Sequence, residues 1–252
     1  MSIDDKIERF ETFLKNLTLY PRFKNIRTVE MDLLGELNPI NDFEEHFYAK
    51  DKYITFDKFF LYYVKKHKDL IVKTFPDYIS DSFLNGLQAR LYRTYMGLVT
   101  EYHAFLIAQK VFGIKNVIRD NIADKKGVDF TIKYKDKNYN IHIFIDREDA
   151  WNKRRFKSTK KHADQLDGYH VNFPYSLIPD RFNSVKRLKN GVGCYTVKYF
   201  EFLKQKIDEG KVLNNNIIGT GITDFLYSKN QSSEREQFLS PHYKTYDTPK
   251  QV

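Results

Sequence analysis

The sequence predicts an α/β protein in which a mixed sheet, flanked by helices, follows a helical N-terminal region. Three observations carry this. A long helical stripe occupies residues 81–112, two runs rich in β-branched and aromatic residues flank Lys135-Asp136-Lys137-Asn138, and strand and helix patterns alternate from there to about residue 207.

Ile7, Phe10, Phe13, Leu14 and Leu17 recur at helical spacing after Asp4, which predicts a first helix that Tyr20-Pro21 stops. Residues 22–56 read as loop and short turns. A second helix begins near Asp57, with Phe59, Phe60, Tyr63, Val64 and Ile71 on one side, and Phe75-Pro76-Asp77 closes it. From Asp81 to Phe112, Leu84, Leu87, Leu91, Tyr95, Leu98, Tyr102 and Phe105 form one apolar stripe, with Gly113 as its stop. Arg90, Thr94, Gly97 and Glu101 run beside that stripe, so Glu101 sits at the edge of the buried face.

The two runs around the polar stretch, Phe130–Tyr134 and Tyr139–Ile145, read as a hairpin. With Tyr134 opposite Tyr139, Asp129 stands opposite Phe144. Strand parity then puts Asp129 and Thr131 on one face with His142, Phe144 and Asp146, and Ile141, Ile143 and Ile145 on the other. Asp146-Arg147-Glu148-Asp149 reads as an N-cap and acidic first turn of a helix through the basic run that follows. Beyond it come a strand from Gly168 to Phe173 ending at Pro174, a helix over Pro179 to Asn190, a strand or loop from Gly191 to Thr196, and a short helix from Phe200 to Ile207. The organisation is one domain over 1–227, with a mainly helical part at 1–80 and the core at 81–207. The polar residues 228–252 follow as a mobile arm.

Composition narrows the function classes. With 252 residues, 41% hydrophobic, 18 Tyr and 21 Phe, the chain has enough apolar mass for a sizeable core and is not disordered. A net charge of +9 fits a polyanionic partner, because clustered Lys and Arg gain by releasing counterions from a phosphate backbone. The single cysteine, Cys194, rules out an intramolecular disulfide and a multi-cysteine zinc site, favours a reducing compartment, and reads as a small core residue. No segment is apolar enough to span a bilayer and the first residues lack signal-peptide order, so the expected location is the cytoplasm.

Residues 152–161 hold six Lys or Arg directly after the polar strand face. Phosphodiester hydrolysis uses a divalent ion to polarise phosphate and activate water, and a hard ion such as Mg²⁺ takes carboxylate oxygens. Asp129 is the leading candidate ligand, although a glycine followed by a strand-opening Asp also has an ordinary solvated role. A helix acid, then Gly-x-Asp on one strand, then Glu/Gln-x-Lys on the next is the arrangement of restriction-endonuclease-like nucleases. Glu101, Gly127-Val128-Asp129 and His142-Ile143-Phe144 occupy those places here. His142 either orients the metal and water as a neutral imidazole or is a half-buried histidine bonded to its neighbours. Asp146 is either a second metal carboxylate or a helix cap. Trp151 reads as core.

Two longer segments resemble a known family. Ile26-Arg27-Thr28-Val29-Glu30-x-Asp32-Leu33-x-x-Glu36-Leu37-Asn38-Pro39 and Ala89-Arg90-Leu91-Tyr92-Arg93-Thr94 are similar to the corresponding segments of the TaqI family of type II restriction endonucleases. With Phe10-Glu11-x-Phe13-Leu14, the Gly-x-Asp and Pro174-Tyr175-Ser176-Leu177, the resemblance covers roughly residues 8–207. It implies a restriction-endonuclease-like core and Mg²⁺-dependent cutting of double-stranded DNA at a short palindrome, TCGA being the site associated with the namesake. It also implies Asp129 as metal ligand and a homodimer on DNA, since cutting both strands uses two sites related by a two-fold axis.

The resemblance has departures. Phe144 stands where the motif has lysine, and Glu101 where the namesake has glutamine. The lysine role therefore passes to another cation, Lys153 first and Arg147 next, or the protein binds DNA without cutting it. Arg147, Lys153, Arg154, Arg155, Lys157, Lys160 and Lys161 form the candidate DNA-phosphate surface, the alternative being a solvated helix face. An RNA-binding role is less supported, because no stacking motif of the usual RNA modules is present.

Overall fold

A computed structural model describes residues 1–26, 33–76, 81–120, 127–147, 150, 151, 154, 166–178, 182–219 and 244–246. Its helices are α1 (Ile3–Lys15), α2 (Arg22–Asn25), α3 (Pro39–Glu44), α4 (Phe56–Thr74), α5 (Asp81–Phe112) and α6 (Val197–Asp208). Its strands are β1 (Val117–Ile118), β2 (Phe130–Tyr134), β3 (Lys137–Ile145), β4 (Tyr169–Tyr175), β5 (Val185–Arg187), β6 (Gly193–Tyr195), β7 (Asn216–Ile218) and β8 (Lys244–Tyr246). The chain divides into two compact units. One comprises Glu8–Tyr102 with Lys189–Val192, the other Met1–Ile7, His103–Leu188 and Gly193–Val252, and the division falls inside α5. Among the described residues no helix is long and apolar enough to cross a membrane.

The first unit is helical and aromatic. Phe10, Phe43, Phe47, Phe56, Phe59 and Tyr95 are buried, and Phe43 stacks on Phe47 with ring centroids 4.0 Å apart. A buried tyrosine hydroxyl is costly without a hydrogen-bond partner. Tyr95 accordingly donates to the Ile54 carbonyl at 2.6 Å and Tyr63 to the Leu37 carbonyl at 2.5 Å. The stripe on α5 is buried from Leu87 to Phe105, but Leu84, one turn from the helix start, is 44% exposed. Residues 39–49, expected as loop, are helical instead: the Asn38 side chain accepts from the Ile40 amide at 3.1 Å, Pro39 occupies the first turn, and Glu45–Ala49 continues as a π-helical turn.

The second unit is the mixed sheet, in the order β1-β2-β3-β4-β7-β8. β1, β2 and β3 are antiparallel neighbours, while β3, β4, β7 and β8 run parallel. This is the α/β fold with a mixed sheet that the sequence predicts. The β2–β3 turn holds only Lys135 and Asp136, at φ 50 and 58, so Tyr134 pairs with Lys137 rather than Tyr139. The register thus differs from the expectation by two residues. A shift of two preserves every face.

One face of this sheet is apolar. Phe130 packs against Phe105 of α5 and Phe200 of α6, and Phe173 stacks on Tyr199 at 4.1 Å. β4 runs through Pro174 to Tyr175, past its expected end. Pairing with β7 stops at Asn172, and the Pro174 carbonyl accepts the Tyr199 hydroxyl, so the missing proline donor breaks no ladder.

The expected helix over 179–190 is replaced by β5, which follows Asn183 at φ 48 and pairs with β6 across a turn containing Gly191 at φ 90; residues 179–181 lie outside the described set. Thr196 caps α6 by accepting from the Tyr199 amide, which starts that helix earlier than expected. Lys244–Tyr246, in the segment read as an arm, pairs with β7. Cys194 is buried.

Candidate active site

The face of the sheet opposite α5 and α6 is polar and, unusually for a sheet interior, still buried. Asn140 and His142 alternate along β3 and His170 and Asn172 along β4, all at 3% exposure or less. A buried polar group costs free energy unless bonded, and each of these side chains makes at least one hydrogen bond. Thr131 donates to Asn140 Oδ1 at 2.8 Å, and Asn140 Nδ2 donates to the Asp167 carbonyl at 3.2 Å. Arg154, 6% exposed, donates from Nε to Asn172 Oδ1 at 2.5 Å.

The two histidines form a chain. His142 Nδ1 lies 2.6 Å from the Gly127 carbonyl and its Nε2 lies 2.9 Å from His170 Nδ1. A carbonyl only accepts, so His142 Nδ1 carries the proton; in the neutral pair Nε2 then accepts from His170.

Asp129 directly precedes β2 and is half-buried. Extending the β2–β3 ladder places it across from His142, although its amide donates to the Ile141 carbonyl at 3.0 Å, one residue off that register. Its Oδ2 accepts from the Ile143 amide at 2.5 Å, and Arg119 donates to its carbonyl at 3.0 Å. One carboxylate oxygen is thereby anchored to the strand.

Asp146, just past the end of β3, donates its amide to the Tyr175 carbonyl at 2.8 Å. Its Oδ1 accepts from the Trp151 indole at 2.9 Å, and the buried Trp151 meets Phe144 edge-on at 4.8 Å. Phe144, in the motif's lysine place, is therefore held by an aromatic contact.

Glu101 is half-buried on α5 and belongs to the helical unit, Glu8–Tyr102. Arg147 is exposed. Lys153, Arg155, Lys157, Lys160 and Lys161 lie outside the described residues, and Arg154 is turned onto the sheet rather than onto a solvated helix face. No motif marks His170, Asn140 and Asn172 in the sequence. Their signal was present as polar residues at i, i+2 in two strands whose alternate positions are apolar.

Among the described residues no three His, Cys, Asp or Glu side chains gather as a ready metal cage. The donor chemistry still fits a hard ion, because Mg²⁺ uses one or two carboxylates and completes its shell with water and substrate phosphate. The segments that carried the resemblance are ordered around specific bonds: Arg93 donates to the carbonyls of Phe23 and Ile26, and Asn38 caps α3.

Comparison with known proteins agrees. The model of the TaqI restriction endonuclease family matches residues 7–218. The type II restriction enzyme TthHB8I of Thermus thermophilus is 29% identical over 184 residues, covering 68% of each chain. The type II restriction enzyme TaqI of Thermus aquaticus is 34% identical over 108 residues, 38% of this chain and 41% of that one. No solved structure matches the chain. With most of its length under the family model, the chain belongs to the TaqI restriction endonuclease family.

Proposed function

We propose that this restriction endonuclease hydrolyses both strands of duplex DNA at a short palindrome, TCGA being the leading sequence, with Mg²⁺ as cofactor and as a homodimer on its site. The observation that carries the reading is Asp129, an anchored, half-buried carboxylate directly before β2, in the family's Gly-x-Asp place. Asp129 would hold the ion, which when bound would polarise the scissile phosphate and lower the pKa of its water. The chain's own contribution is orientation. The Ile143 amide fixes one carboxylate oxygen, and the His142 bond to Gly127 fixes the turn that delivers Asp129.

The basic residues Arg147, Lys153, Arg155, Lys157, Lys160 and Lys161 are proposed to meet DNA phosphates, and Lys153 to act for the missing motif lysine. A specific observation favours a second reading, a DNA-binding protein that has lost cleavage: Phe144 is packed on Trp151 in the lysine's place. Incubating supercoiled plasmid with Mg²⁺ or with EDTA separates the two. Cutting in Mg²⁺ alone supports the enzyme, retention on DNA without cutting supports the second reading, and sequencing the cut ends tests TCGA and its symmetry.

A further inference from the structure

We propose that His170 is a positioning residue for this site. By donating from Nδ1 to His142 Nε2, it fixes the tautomer and ring plane in which His142 Nδ1–H grips the Gly127 carbonyl, and so the path of Gly127-Val128-Asp129. Its effect on cleavage rests on the proposed role of Asp129; its effect on the tautomer does not.

The argument begins at Gly127, whose φ of 79 is a conformation that side-chain-bearing residues rarely adopt. A turn in that region persists where neighbours hold it. The hold on Gly127 comes from His142 at 2.6 Å, Val128 behind it is 1% exposed, and Asp129 is tied through its amide to Ile141 and through its carboxylate to Ile143. His142 is thus the anchor at the start of the segment that ends in Asp129.

That anchor works in one tautomer only. A neutral imidazole with its proton on Nε2 would point a lone pair at the Gly127 oxygen and lose the bond. The Gly127 carbonyl selects the Nδ1–H form, and His170 reinforces that choice from the other side of the ring. It lies on the neighbouring strand, 3% exposed, its ring nearly parallel to that of His142 at 16° with centroids 5.2 Å apart, and its own amide is tied to Asn214 Oδ1 at 2.9 Å. With His170 Nδ1–H directed at His142 Nε2, the Nε2–H tautomer would set two protons against each other. The logic is that of outer partners that orient the groups at a metal site, where loss of the partner costs about 10–100-fold in affinity or activity. The bland alternative is that the two histidines only satisfy one another as buried polar groups. That alternative predicts no dependence of Asp129 chemistry on which nitrogen of His142 carries the proton.

The test compares His170→Leu, which removes the donor, with His170→Asn, whose amide nitrogen occupies nearly the place of Nδ1. Two readouts are taken on the full chain: single-turnover cleavage on saturating DNA with Mg²⁺, and the tautomer of His142 by ¹⁵N imidazole NMR without metal or DNA. The expected wild-type state is Nδ1–H. His170→Leu is expected to mix in the Nε2–H form and to slow cleavage about 10–100-fold with DNA affinity unchanged, while His170→Asn keeps the tautomer and recovers most of the rate. An Nε2–H wild type, a Leu variant cutting within twofold of wild type, or an Asn variant as slow as Leu would each overturn the proposal. If His170→Leu does not fold, the wild-type tautomer and the Asn variant decide it. If the wild type itself does not cut, the proposed function fails, and the His170 relay stands or falls on the tautomers alone.

Discussion

Asp129→Asn and Asp146→Asn delete the same charge from the same sheet face, yet the register predicts very different consequences for the metal requirement. The Asp129 carboxylate is tied to the Ile143 amide and Asp146 lies three residues further along, so an ion at Asp129 would lie about 10 Å from Asp146 on a strand rising roughly 3.3 Å per residue. A divalent ion and a unit charge at that distance attract by about 0.8 kcal/mol in water, and salt at physiological strength screens this to about 0.3 kcal/mol. Loss of Asp146 should therefore move the Mg²⁺ midpoint by less than about twofold. Asn keeps an oxygen to accept the Trp151 indole, so the variant is expected to fold normally. Asp129→Asn removes the charge at contact distance. It should cost more than the roughly 10–100-fold typical of an outer-shell partner. The assay is the single-turnover rate on saturating DNA across a Mg²⁺ series, with DNA affinity measured separately in EDTA. A midpoint displaced tenfold or more by Asp146→Asn would refute the register argument, and wild-type cutting by Asp129→Asn would remove Asp129 from the site.

Gly219 at φ +108 faces Tyr199, and a Cβ there would overlap the tyrosine ring and hydroxyl, so Gly219→Ala should lower the urea stability by about 1–3 kcal/mol or more; its combination with Tyr199→Ala should be less than additive. The Glu45 carboxyl is pulled down to about 2, first by Lys50 and then by Tyr62, from its usual 4.5. A depressed carboxylate stabilises the fold above its unfolded pKa and loses that contribution as pH falls. Acid unfolding should therefore develop between about pH 4.5 and 2 in part through Glu45, and Glu45→Gln should flatten that limb, the effect being small because the side chain is 36% exposed. Phe144→Lys restores the motif lysine at the loss of an aromatic contact worth about 0.5–1.5 kcal/mol, and is expected to raise single-turnover cleavage. An unchanged rate would mean the lysine role is met elsewhere or not used.

The elements legible in the sequence were those with strong periodicity or punctuation. α5 was bounded correctly because its stripe runs many turns and Gly113 ends it, and both hairpin strands were found from their β-branched content. Their register was not, because Lys135 and Asp136 are not the Asn-Gly or Asp-Gly pair that announces a two-residue turn. Residues 182–190 mislead for a different reason: β5 is only three residues long, too short for period-two alternation to show. At the site, Asp129 was visible through its glycine, and His142 through its place in the motif. His170 and Asn172 show in the sequence as polar residues at i, i+2, but the pairing of His170 with His142 exists only once β4 lies parallel to β3, between residues 28 apart that no local pattern links.

The register has a further consequence for how metal and DNA bind together. His142 spends both ring nitrogens on Gly127 and His170, and Asp146 is engaged with Trp151 and displaced along the strand. Asp129 is the proposed carboxylate for an ion on the sheet face, and one carboxylate binds Mg²⁺ weakly because the ion dehydrates reluctantly. Phosphate oxygens of bound DNA would complete the shell, so Mg²⁺ and DNA should each raise the affinity for the other by the same factor, as linkage requires. Calorimetric titration of Mg²⁺ into the DNA-free protein is expected to show no tight binding, and the DNA affinity of the wild type, measured before cutting proceeds, should rise with Mg²⁺ while that of Asp129→Asn should not. Tight stoichiometric Mg²⁺ binding without DNA would require a protein cage around the ion, which a single carboxylate on this sheet face cannot supply.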